Sequence, residues 1–268
     1  MPHHYIRLED LAATYDHIYL SPHLDDAALS CGGSIARFVA GGQSVLVVNI
    51  CAGSPPADSV FSPFAQQMHR QWALPPAEAV RLRIQEDVEA LETLGADCYL
   101  LDRLDAIYRM PAAYVDDATL FGTVAPGDPL ADSLRGLISA LAARFPAAIF
   151  YAPLGVGQHV DHQATYDSTA EFVRSGLSVA FYEDFPYAAT AGALEHRLAQ
   201  IGGAEIFLPS ITAIDATLAR KISAVESYRS QISTLFGDLG AMSRSVSAYA
   251  EGLRPESGTY GERIWMQR

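Results

Sequence analysis

His17-Ile18-Tyr19-Leu20-Ser21-Pro22-His23-Leu24-Asp25-Asp26 runs from an apolar strand into a polar turn, and residues 27–40 continue as a helix of small residues. A histidine and two carboxylates crowded into four positions either repel and hydrate, or share a cation. A second cluster, His159-Val160-Asp161-His162, follows another apolar run, Ala148-Ile149-Phe150-Tyr151. The arrangement of strands around these two clusters decides the fold.

Further apolar runs at 44–50, 98–101 and 178–182 alternate with helical patterns at 77–94, 130–144 and 162–174. The run at 44–50 is apolar on both faces, as buried parallel strands are. Such alternation implies an α/β fold, a Rossmann-like, doubly wound and mainly parallel sheet with helices on both faces. In that order the strands ending at residues 20 and 151 lie side by side, where the winding direction reverses. Ligands bind at the carboxyl ends of the strands there. Clusters more than a hundred residues apart therefore converge on one crevice.

Cys31-Gly32-Gly33-Ser34, inside the first helix, lacks the spacing of a dinucleotide site. Two glycines there imply close approach of the backbone to a neighbour. The helix at 77–94 carries Arg81, Arg83, Glu86, Asp87 and Glu89, read as a solvated face with Arg83 as a partner of Glu86 or Asp87. A weaker strand at 205–208 precedes a helix at 216–236, and residues 237–268 read as loop-rich. The whole chain, 1–268, reads as a single domain.

Composition narrows the partners. Half of the 268 residues are apolar, so a large core forms. The formal charge of −13, from 31 acidic and 18 basic residues, disfavours nucleic acid and anionic membranes. No apolar run reaches the ~20 residues of a membrane helix. The first ten residues lack a basic-then-apolar pattern, so no signal peptide and a cytoplasmic location are expected. Cys31, Cys51 and Cys98 lie in apolar segments without a CxxC pair and read as buried free thiols.

The clusters suit a catalytic divalent metal, which keeps three protein ligands and one open position. His23 and Asp26 are three apart on the turn entering a helix, and His159 and His162 share that spacing, so one of the latter pair completes the set. Water on such an ion has a pKa near ~7, and the spare carboxylate Asp25 takes its proton. HxxH or Asp-Asp alone is weak evidence, since an Asp after a strand is often only a helix cap. Two clusters, each ending its own parallel strand, are much more specific.

Pro22-His23-Leu24-Asp25-Asp26-Ala27 and His159-Val160-Asp161-His162 resemble the paired motifs of the PIG-L/LmbE-type deacetylases. Weaker similarities lie at Glu86-Asp87, Leu94-Gly95, Leu104-Asp105, Tyr108-Arg109, Phe181-Tyr182-Glu183-Asp184, Tyr228-Arg229-Ser230-Gln231 and Glu262-Arg263-Ile264-Trp265. The resemblance implies hydrolytic removal of acetyl from an N-acetylglucosamine-type sugar or glycoconjugate. It implies zinc, with Fe2+ as the alternative, held by His23, Asp26 and His162, and Asp25 as general base. His159 is implied as a protonated partner of the oxyanion, and Asp161 as the residue holding a histidine in its tautomer. Leu24 replaces the motif's usual proline, Ala27 its usual glutamate, and Gly157-Gln158 offers no aromatic where some relatives carry tyrosine.

Asp105, Tyr108, Arg109, Glu183 and Asp184 follow strand ends on the same face and are expected to contact substrate. His69 and Trp72, in the Pro- and Ser-rich excursion at 53–74, are candidates for a substrate wall. The competing readings are a metal-dependent amidase acting on a non-sugar or thiol-conjugate amide, and a non-catalytic nucleotide- or sugar-binding α/β module.

Overall fold

In the computed structural model, which describes every residue except Met1 and Ala73 and every other side chain except those of Gln71 and Trp72, strands and helices alternate. In chain order the elements are β1 (His4–Tyr5), β2 (His17–Ser21), α1 (Asp26–Ala40), β3 (Val45–Asn49), α2 (Pro63–Trp72), α3 (Pro76–Leu94) and β4 (Asp97–Leu100). The excursion after β4 holds the one-turn helices α4 (Ala106–Arg109) and α5 (Asp117–Leu120). There follow α6 (Leu130–Arg144), β5 (Ile149–Pro153), α7 (Val160–Val173), β6 (Val179–Tyr182), α8 (Ala193–Gln200) and β7 (Phe207–Ala213). The chain then runs through α9 (Leu218–Val225), α10 (Arg229–Leu235), α11 (Leu239–Leu253) and β8 (Gly261–Gln267).

The sheet order is β1-β4-β3-β2-β5-β6-β8-β7. Strands β1 to β6 pair in parallel, and β8 pairs antiparallel with both β6 and β7. β2 lies against β5 with Tyr19 opposite Tyr151, which places the two cluster-bearing turns side by side. Successive strand residues face opposite sides. Ile18, Leu20, Leu46, Val48 and Phe150 pack with α6 on one face, whereas Tyr19, Val47 and Tyr151 pack with α1 and α3 on the other.

Three expectations change. Residues 237–268 are not loop-rich: they form α11 and β8, and β8 is inserted between β6 and β7. Its charges find partners within the fold: Glu262 meets Lys221 at 2.7 Å and Arg263 meets Glu183 at 2.5 Å. The expected helix at 216–236 is two helices. Asp87 accepts the Tyr228 hydroxyl at 2.8 Å, and Glu86 accepts the Ser230 N–H at 2.9 Å, holding the break open. Glu86 and Asp87 are therefore buried cross-braces and not a solvated face. Arg83 pairs with neither; its nearest carboxylate oxygen belongs to Asp25, at 3.5 Å.

The glycine pair in α1 does mark a close approach. A Cβ on Gly33 would lie 2.7 Å from Ile214 Cδ1, and Glu262 accepts the N–H groups of Gly33 and Ser34. The cysteines are buried free thiols.

Candidate metal centre and active site

The turn after β2 is shaped by short hydrogen bonds. Ser21 Oγ donates to the His23 carbonyl at 2.7 Å and accepts the Ala27 N–H at 3.1 Å. Asp26 Oδ2 reaches back to accept the His23 N–H at 2.8 Å. Asp25, between them, has φ of 146°, a conformation that L-residues seldom adopt. The result is a tight hook that aims His23, Asp25 and Asp26 into one cavity.

The turn after β5 uses left-handed backbone at Gly155, Gly157 and Gln158. Asp184, from the end of β6, accepts the N–H groups of Gly155 and Val156, both at 2.8 Å. His159 caps α7, its Nδ1 accepting the Asp161 N–H at 3.2 Å.

Between these turns, His23 Nδ1, His162 Nε2 and Asp26 Oδ2 form a nearly equilateral triangle. Its sides are 3.3 Å from His162 to His23, 3.4 Å from His23 to Asp26 and 3.3 Å from His162 to Asp26. A tetrahedral ion with bonds of about 2.0–2.1 Å holds its ligand atoms about 3.3–3.4 Å apart, so the donors fit zinc-like coordination with one corner open. Carboxylates fix both rings from behind: Asp161 sits 3.1 Å from His23 Nε2, and Asp184 2.7 Å from His162 Nδ1. With a cation between them, each ring would carry its proton on the outer nitrogen and turn a lone pair inward.

Two other groupings of ligand-type atoms fall within 4.8 Å, His23–His159–His162 and His23–Cys51–Asp161. Neither competes. His159 already spends Nδ1 on a peptide N–H, Asp161 is engaged by Arg109 and the Ala106 N–H, and burial pushes the Cys51 thiol well above its usual pKa.

The electrostatics demand positive charge. Burial opposes protonation of His162, yet Asp26 and Asp184 outweigh it and raise its pKa to about 9. His23 is likewise raised, its bonds to Asp161 and Asp26 overcoming burial. Asp25 is pushed up to about 7, chiefly by burial, with Arg83 pulling the other way. His159 behaves oppositely: burial, and then the adjoining His23 and His162, push it well below the usual histidine range. With Nδ1 accepting a peptide N–H, this favours the neutral ring with its proton on Nε2, where the resemblance implies a protonated one.

Residues 18–173 match the PIG-L family, described as GlcNAc-PI de-N-acetylase. The chain belongs to the PIG-L family. This PIG-L protein is 28% identical over 244 residues to the 2'-N-acetylparomamine deacetylase of Niallia circulans, covering 82% of each chain. Among solved structures it superposes on the A40926 pseudoaglycone deacetylase Dbv21 with a TM-score of 0.73 and 30% identity, over 94% of this chain and 96% of that one. The zinc-inhibited form of teicoplanin deacetylase Orf2 gives a TM-score of 0.76 and 29% identity, over 92% and 96%.

The expected substrate contacts do not gather in one place. A cavity of about 380 Å³ opens on the metal donors, with Asp25, Arg83, Asp105, Asp117 and His159 among its polar lining. Among the described residues, Asp105 is the one expected contact that lines it. His69 and Tyr108 instead share a 2.8 Å hydrogen bond, and Arg109 lies behind His23. Glu183 is enclosed by Tyr249, Arg263 and Trp265, and Asp184 holds His162. The Trp72 side chain lies outside the described residues.

Sequence reading missed the aromatic wall of Phe121 and Tyr187. Phe121 sets its ring edge-on to His159 at 5.2 Å, and Tyr187 lies 6.2 Å from His162. A clue existed in Gly157, where a Cβ would stand 2.5 Å from the Tyr187 ring. The aromatic absent from the second motif arrives from another segment, and the glycine makes room for it.

Proposed function

We propose that this PIG-L protein removes the acetyl group from an N-acetylated amino sugar, using zinc held by His23, Asp26 and His162. The observation that carries the reading is the triangle of donor atoms at tetrahedral separations, opening on a cavity that also holds Asp25 and His159. When bound, the ion supplies Lewis-acid polarisation and makes a water acidic near neutral pH. Asp25 takes a proton from the attacking water; a cation beside it favours its ionised form. His159 Nε2–H donates to the oxygen that becomes negative as the carbonyl turns tetrahedral. Neutral His159 has one ring proton and uses it in that bond, so Asp25 returns its acquired proton to the departing amine. The products are acetate and a free amine.

Asp105, Asp117 and Arg83 supply polar contacts for sugar hydroxyls, and Asp161 and Asp184 keep the ligand rings in place. Leu29, Ile107, Leu120, Phe121 and Tyr187 give the same cavity an apolar wall. That wall supports a substrate with an apolar group next to its N-acetylated sugar.

The test is a panel of N-acetylglucosamine, its methyl and aryl glycosides, and 2'-N-acetylparomamine, scored for primary amine and acetate. Equal amounts of both products, lost on chelation and restored by zinc, are the expected result. Fully metallated protein that releases acetate from none of these substrates overturns the reading.

A further inference from the structure

Arg109 was expected at the substrate, but its side chain is only 8% exposed and does not line the cavity. Its donors are committed elsewhere. Nε and Nη2 grip both oxygens of Asp128 at 2.7 and 2.8 Å, and Nη1 reaches the Leu104 carbonyl at 2.6 Å. Nη2 also donates to Asp161 Oδ1 at 2.5 Å. The other Asp161 oxygen faces His23 Nε2 at 3.1 Å and accepts the Ala106 N–H at 3.2 Å. Asp128 is anchored in turn by the Tyr114 hydroxyl and the Leu130 N–H.

We propose that Arg109 is a positioning residue that couples the excursion at 104–130 to the metal centre by fixing, through Asp161, the orientation of His23. The chain of contacts Asp128–Arg109–Asp161–His23 is continuous and nearly dry, with the Asp161 side chain wholly enclosed. A guanidinium fork suits this post because it holds two carboxylates in fixed planes at once, which an ammonium does not. The excursion also supplies Asp105, Ile107, Asp117, Leu120 and Phe121 to the cavity wall. Metal binding and the order of that wall are therefore linked, and the linkage is reciprocal. A ligand whose outer partner is lost binds metal about 10–100-fold more weakly, and that is the effect expected here.

The inference rests on the metal reading above, and wild-type protein that binds no zinc would sink that reading by itself, whatever the variants do. The experiment compares Arg109→Met, Arg109→Lys and Asp128→Asn with wild type, measuring zinc affinity by chelator competition and KM at saturating zinc. Expected is weaker zinc binding by about 10–100-fold in Arg109→Met, partial rescue in Arg109→Lys and a smaller loss in Asp128→Asn. Limited proteolysis gives a second readout: zinc slows cleavage within 104–130 in wild type and loses that effect in Arg109→Met. Unchanged zinc affinity with raised KM makes Arg109 a substrate contact and overturns the proposal. Should Arg109→Met not fold, Asp128→Asn decides, and zinc affinity equal to wild type overturns it.

Discussion

The two turns proposed to hold the metal look alike in sequence, each a histidine-and-aspartate cluster leaving a parallel strand for a helix, yet they divide the work differently. In that proposal the turn after β2 gives two ligand atoms and a spare carboxylate; it is shaped from within by Ser21 and Asp26. The turn after β5 would give one ligand and one donor, and it is shaped from outside by Asp184. The difference appears most clearly in the histidines. Those backed by carboxylates are pushed towards holding positive charge, whereas His159, backed by a peptide N–H, is kept neutral. Equivalent residue types thus become ligand or hydrogen-bond donor according to what sits behind the ring.

Exchanging roles should break this division. Asp25→Ala is expected to lower kcat by about 10²–10⁴-fold with zinc content near one per chain, as loss of general acid–base catalysis does. His159→Ala should also retain zinc, and removal of its one donor should lower kcat by about 10²–10³-fold. Zinc analysis of both variants checks the assignment, since loss of metal from either would make that residue a ligand. Asp184→Asn affects the second turn alone and should loosen zinc by about 10–100-fold, read by chelator competition.

A smaller effect concerns Asp87, which bridges Asn49 in β3 and Tyr228; it is buried and raised to about 7 by desolvation, although both residues donate to it. Its folded pKa exceeds the unfolded value of 3.8, so the folded state binds the extra proton between them. Stability from this group is full below pH ~4 and is lost as pH rises through ~7. Urea unfolding across that window should show the fall in wild type and a flatter profile in Asp87→Asn.

The sheet and the convergence of the two clusters were legible because their signals are local: apolar strands, then paired clusters at strand ends. The winding rule brought β2 beside β5 without any distance being known. What the sequence hid is set by distant partners. Nothing near Glu262 and Arg263 in the chain reveals their partners Lys221 and Glu183. Arg109 read as a substrate contact because it follows a strand end, and only the fold shows Asp128 and Asp161 claiming its donors. Tyr187 was invisible for the same reason, its role depending on the space at Gly157.

The placement of β8 between β6 and β7 carries a kinetic consequence. Phe181 must wait for Trp265, more than eighty residues later, before its own strand gains a second neighbour. Until then the apolar margin of β6 stays bare, open to pairing with another unfinished chain. Such late closure slows maturation and makes crowded refolding prone to clumping.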